Sequence, residues 1–168
     1  MNDNLSADLI VVKQILYSKL NVELKNIKIE NESTAYSACT FEINKLSILY
    51  REAKITPTKI GQFVTIWKRN TKGITKPFCV VDDIDLGVII CRNNVQFGQF
   101  VFPKAILGDK KIFTKNNIEG KRGIRVYPPW DIAINKQAIQ TQAWQLDYFL
   151  EMTTAIDIDR AKKLYVIK

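Results

Sequence analysis

Two β-rich runs, Tyr36–Ile43 and Leu46–Ile55, flank the dipeptide Asn44-Lys45. Strand-length apolar runs on either side of a two-residue turn signal specify a hairpin. That pairing fixes which side chains share a face. Ile43 is set opposite Leu46, Glu42 opposite Ser47 and Ser37 opposite Glu52. One face then carries Ser37, Cys39, Phe41, Ile48, Tyr50, Glu52 and Lys54, mostly apolar with a charged pair at its open end.

Around the hairpin the hydrophobic period changes repeatedly. Leu5, Leu9, Val12, Ile15, Leu16 and Leu20 recur at helical spacing, with Asn4 or Ser6 available as a cap. Leu24–Ile29 reads as a short strand. After Thr56-Pro57, a helix start signal, Ile60, Phe63, Val64 and Trp67 fall at i, i+3, i+4 and i+7 and predict a helix over 57–69, with Gly61 a weak point inside it. Leu86–Cys91, nearly all apolar, predicts a central strand. Phe97–Phe102 and Ile124–Tyr127 are further strands, and Gly108–Gly123 a lysine-rich loop. Ile139, Ala143, Leu146 and Leu150 predict a last long helix capped near Asn135; the tail from Thr153 fits a short helix or a strand. Gly-Gln-Phe-Val occurs at 61–64 and at 98–101, expected in a helix and in a strand respectively, so it is not a repeat. With no linker or composition break, the chain reads as one domain over 1–168: an α/β fold with a mixed central sheet flanked by helices.

The 168 residues include no histidine, which removes serine and cysteine triads, imidazole proton shuttles and histidine-based metal sites. Cys39, Cys79 and Cys91 have no C-x-x-C spacing and read as free thiols without a disulfide partner. No stretch approaches the roughly 20 apolar residues of a membrane helix. The N-terminal residues lack a basic start and an apolar block, so a cytoplasmic location is expected, with no membrane association.

Net charge is +8, and its distribution is uneven. Residues 51–76 carry seven basic side chains against Glu52 alone, and residues 103–125 carry seven against Asp109 and Glu119. Two cationic blocks suit a polyanion partner. Within the second, Gly120-Lys-Arg-Gly-Ile-Arg-Val-Tyr-Pro-Pro-Trp-Asp131 combines two glycines that free the backbone, three cations, and prolines that stiffen the loop presenting Tyr127 and Trp130. Cations interleaved with aromatics are the means by which nucleic-acid grooves hold phosphates and stack bases. Candidate contacts are Lys54, Lys59, Lys68, Arg69, Lys121, Arg122 and Arg125, with Tyr127 or Trp130 stacking; such binding requires no cofactor. Gln137, Gln140, Thr141 and Trp144 form a polar stripe on the last helix, expected to face water.

Glu52 and Lys54 also admit hydrolytic chemistry: a carboxylate and a lysine on one strand face can hold Mg²⁺ or Mn²⁺ and stabilise a phosphate under attack. A second carboxylate is needed. Positions 37 and 38 offer Ser and Ala, leaving Glu32 in the preceding loop, or Asp83 and Asp85, as candidate metal ligands.

Ala53-Lys-Ile-Thr-Pro57, Gly61–Arg69, Gly98-Gln-Phe-Val-Phe-Pro103, Gly120–Asp131, Asn135-Lys-Gln-Ala138 and Thr141-Gln-Ala-Trp-Gln145 together resemble the MepB family, over roughly residues 36–150. The resemblance implies a restriction-endonuclease-like core: a helix, a hairpin ending in an acid-x-lysine pair, and a crossover helix. It implies that Glu52 and Lys54 occupy the acid-x-lysine positions, while the aspartate that precedes them in active members has no counterpart here. The expected function is binding of nucleic acid, DNA foremost, on a degenerate nuclease fold. The alternatives are a Mg²⁺-dependent endonuclease using Glu52 and Lys54, and a non-enzymatic adaptor for an acidic protein partner.

Overall fold

The computed structural model describes residues 4–168. Strands β1 (Lys25–Ile29), β2 (Cys39–Ile43) and β3 (Leu46–Glu52) form an antiparallel meander. Asn44 and Lys45 both take positive φ, 48° and 67°, the backbone that a two-residue hairpin turn requires. Ile43 therefore opposes Leu46, Glu42 opposes Ser47 and Cys39 opposes Tyr50, as the sequence predicts.

The chain leaves β3 through β4 (Lys54–Thr56), β5 (Lys59–Thr65), β6 (Trp67–Arg69) and β7 (Thr75–Pro77). It returns as β8 (Leu86–Arg92), parallel to β3, and continues antiparallel into β9 (Phe97–Pro103). After helix α2 (Lys104–Asp109) come β10 (Gly123–Val126), α3 (Lys136–Gln145), β11 (Phe149–Glu151) and α4 (Ile158–Leu164). The main mixed sheet is ordered β1-β2-β3-β8-β9-β11, with β10-β5-β4 a smaller sheet and β6-β7 a hairpin. The β8 core Leu86–Cys91 is wholly buried between its neighbours.

Alternation divides the core into two layers. On one face Cys39, Phe41, Ile48, Tyr50, Val88 and Ile90 pack with Leu9, Val12, Leu16 and Tyr17 of the first helix and with Tyr165 after α4. That helix, α1 (Ala7–Val12), is capped by Ser6 and runs on through a π-helical turn, Lys13–Tyr17. On the other face Leu49, Ile89, Phe100 and Phe102 meet Val64, Leu107, Phe113, Ile124 and Val126. Area burial at roughly 25 cal/mol per Å² makes these layers the main stabilising term.

The helix predicted over 57–69 is absent. Pro57 and Thr58 instead form the turn between β4 and β5, a position that suits Pro as well as a first helical turn does. Gln62, Val64 and Ile66 are buried while Phe63, Thr65 and Trp67 are half-buried, a period of two. Gly61 sits at φ 83° beneath Tyr127, where a Cβ would lie 2.7 Å from the ring. Both Gly-Gln-Phe-Val copies are thus in strands, β5 and β9, each burying its glutamine. The crossover between parallel strands is made of strands, where the resemblance implied a helix.

The last long helix is shorter than predicted. α3 starts at Asn135, whose side chain accepts from the Ala138 N–H, and stops at Gln145. Leu150 lies in β11 against Gln99, and Ile139 is exposed. The inward stripe of α3 is polar: Gln145 accepts from the Tyr127 N–H at 2.8 Å and donates to the Arg125 carbonyl at 3.0 Å. Gln142 donates to the carbonyls of Pro128 and Asp131 at 3.0 and 2.8 Å. Amide hydrogen bonds, not an apolar stripe, dock this helix on β10. The stretch predicted as a loop from Gly108 begins inside α2, and the tail from Thr153 contains α4.

Candidate functional site

The acid-x-lysine pair is divided at Ala53. The Ala53 N–H donates to the Ile90 carbonyl and continues the main-sheet ladder. Lys54, one residue on, pairs with Phe63 in the smaller sheet and is exposed. Glu52 instead turns towards hydroxyls: it accepts from Ser37 Oγ at 2.9 Å, from Tyr50 Oη at 2.7 Å and from Ser6 Oγ. Burial, and then the neighbouring Glu52 carboxylate, raise the Tyr50 phenol well above its ordinary pKa and keep it a donor. Glu52 thereby ties the cap of α1 to the end of β3.

The other candidate ligands lie elsewhere. Glu32 pairs with Arg69 Nε at 2.5 Å. Asp85 accepts from the Ser47 N–H at 2.8 Å and Asp83 from Ser47 Oγ at 3.4 Å. Ser47 is at the opposite end of β3 from Glu52, about 17 Å away along the strand. Among the described residues, no three of Asp, Glu and Cys gather closely enough to hold a metal ion. The expectation that Glu52 shares a metal site with either Glu32 or Asp83 and Asp85 finds no such cluster among the described residues: Asp83 and Asp85 sit at the far end of β3, and Glu32 is engaged by Arg69.

The cationic blocks do converge. Between the smaller sheet, α3 and the segment following α2 lies an open cleft of about 630 Å³. Lys59 comes to it from the first block, and Lys110, Lys121 and Arg125 from the second; Phe63, Tyr127, Gln137, Thr141 and Trp144 complete its walls. Among the described residues no carboxylate lines it. Two close approaches shape it: Tyr127 lies over Gly61, and Phe63 over Gly123, where a Cβ would meet the ring at 2.6 Å. A third tightens the loop that presents Lys121. A Cβ at Gly120 would collide with the Ile112 carbonyl at 2.2 Å, and the Lys121 N–H donates to that same carbonyl at 2.9 Å.

Arg125 donates to the Ile60 and Gly61 carbonyls at 3.2 and 3.4 Å and to Thr56 Oγ1 at 2.6 Å. These acceptors are neutral, so the guanidinium is oriented while no carboxylate of the described residues compensates its charge. Lys110 Nζ lies 5.4 Å from the centre of the Trp144 ring.

Of the predicted contacts, Lys59, Lys121, Arg125 and Tyr127 are brought together here, and Lys54, Lys68, Arg69, Arg122 and Trp130 are not. Lys68 pairs with Asp82 at 2.6 Å, Arg69 with Glu32, and Arg122 with Glu119 at 3.1 Å. Trp130 stands edge-on against Phe149, 5.7 Å between ring centres, half-buried against the core. The tryptophan in the cleft is Trp144, beside Phe63 and Tyr127. Its stripe with Gln137 and Thr141 is visible in the sequence at i, i+4 and i+7. That this stripe is covered by the second cationic block, and so lines a cleft instead of facing bulk water, depends on the chain path.

The MepB-like family model matches residues 30–151. A solved structure described as the crystal structure of MepB is 34% identical, with a TM-score of 0.78 over 90% of this chain and all of that one. A bacterial homing endonuclease, I-Ssp6803I, aligns at 15% identity with a TM-score of 0.45, covering 83% of this chain and 86% of that chain. No curated protein sequence matches at significant similarity. Among the described residues no helix is long and apolar enough to cross a membrane.

Proposed function

We propose that this chain, which belongs to the MepB-like family, binds nucleic acid through the cleft between the smaller sheet and α3, chiefly by its phosphates. The observation that carries this reading is the joining of Lys59, Lys110, Lys121 and Arg125 in one concavity that no carboxylate of the described residues lines. Like charges gathered in a cleft with low-dielectric walls focus a positive potential and draw in a polyanion. Folding them together costs electrostatic free energy, and phosphate groups supply the missing counter-charge. DNA is the first polymer to test. The reading needs no metal, and hydrolysis is not part of it, since the Glu52 carboxylate is enclosed by Ser6, Ser37 and Tyr50.

The test is fluorescence anisotropy of a labelled DNA oligonucleotide at low salt. Binding is expected for the wild type and is lost in Lys59→Glu/Lys121→Glu. It persists in Lys68→Glu, whose site lies outside the cleft. No binding to the wild type at about 50 mM salt, where phosphate contacts are strong, overturns the reading.

A further inference from the structure

We propose that Trp144 is a base-stacking platform capped by Lys110 in the free protein, so that the cleft takes an unpaired, single-stranded segment of nucleic acid. This rests on the reading of the cleft as a phosphate-binding site and adds which part of the ligand meets which wall. The indole is backed by a fully buried aromatic: Phe102 packs on it with ring centres 5.3 Å apart, and Phe102 in turn stacks on Phe100. That support fixes the platform. α3 is itself held by Gln145 on the backbone of Arg125 and Tyr127, so the platform and the Arg125 guanidinium keep a set separation.

On the cleft side the indole is covered by the Lys110 ammonium. Lys110 has no carboxylate partner among the described residues, and its one close attraction is the ring beneath it. An ammonium over a half-exposed ring is weakly held, and a phosphate is a far stronger partner for it. An entering strand therefore draws Lys110 onto its backbone and uncovers the indole in the same step. A base whose π-face is free can take the vacated place; in a duplex that face is already stacked on its neighbours. Gln137 and Thr141, respectively two turns and one turn earlier on α3, place an amide and a hydroxyl along the same wall.

The experiment is tryptophan emission in the full chain carrying Trp67→Phe and Trp130→Phe, which leaves Trp144 as sole reporter; the same titrations in wild type guard against misfolding of that variant. Oligo(dT), a duplex of equal phosphate number, and heparin are the probes. Oligo(dT) is expected to quench Trp144 strongly, and heparin to bind without quenching. The duplex is expected to bind less tightly than oligo(dT) and to quench little. Trp144→Leu should weaken oligo(dT) roughly 5- to 150-fold, the range of one lost stacking contact, while leaving heparin affinity and the salt slope unchanged. If oligo(dT) and heparin both bind and neither alters Trp144 emission, the stacking inference fails and the phosphate-binding reading stands. If duplex quenches as strongly as oligo(dT), single-strand selectivity is overturned. If no polyanion binds, the cleft reading falls with it.

Discussion

Replacing Lys121 by Gln removes one of the four cations that line the cleft among the described residues, where no described carboxylate faces them, and its effect on salt dependence follows from that count. Each neutralised phosphate of a single strand adds about −0.7 to the slope of log affinity against log salt, so four contacts give about −2.8. Raising salt from about 50 to about 200 mM then weakens wild-type binding about 50-fold. In Lys121→Gln the slope falls to about −2.1 and the same change costs roughly 20-fold. On a duplex the wild-type figures are about −3.6 and about 150-fold. Lys121 suits the experiment because its side chain has no carboxylate partner among the described residues and its backbone is held through the Ile112 carbonyl. Lys68 is the control, since its charge is already engaged by Asp82 at 2.6 Å. Anisotropy titrations of a labelled oligonucleotide across a salt series measure all three slopes. Equal slope changes for Lys68→Gln and Lys121→Gln, or a wild-type slope near zero, would refute the assignment of the phosphates to this cleft.

Three further outcomes test other parts of the structure. Glu52→Ala strips three hydroxyls of their acceptor and should cost about 2 kcal/mol in urea unfolding; Glu52→Gln, which keeps an acceptor oxygen, should cost less, and an unchanged midpoint in both contradicts the anchoring role. Gln145→Leu leaves the Tyr127 N–H and the Arg125 carbonyl unpaired beneath α3 and should cost about 3 kcal/mol, with faster amide exchange along β10 as the local readout. Native thiol labelling near pH 8 should modify half-exposed Cys79, with buried Cys39 and Cys91 reacting only on unfolding. Burial pushes the Cys39 thiol up to about 12, from 9. The unfolded chain therefore loses that proton first, so stability is intact below pH 9 and falls as pH rises towards 12, by up to about 1.4 kcal/mol per pH unit. Cys39→Ala should flatten that decline, and an unaltered alkaline slope would count against it.

The hairpin was legible because its determinants are local. Asn44 and Lys45 supply the turn, and strict alternation leaves one register that buries Phe41, Ile48 and Tyr50 together. The first helix, the central position of β8 and the cap at Asn135 followed equally from short-range pattern. The segment 57–69 misled because Ile60, Phe63, Val64 and Trp67 satisfy a helical period while Gln62, Val64 and Ile66 satisfy a strand period. Pairing with Gly123–Val126, some 60 residues away in sequence, decides between them.

For the site, sequence alone determined how many cations there are, that they come in two blocks, and that no imidazole is available. It did not determine which of those cations already have partners. Lys68, Arg69 and Arg122 fold against carboxylates, while Lys59, Lys110, Lys121 and Arg125 meet one another across a cleft. The placing of Trp144 in that cleft and of Trp130 against Phe149 was likewise decided by tertiary structure. Backbone preference and side-chain period act over a few residues, and the chain writes them directly. Electrostatic compensation and exposure depend on distances between segments far apart in sequence, and only the folded chain path sets those.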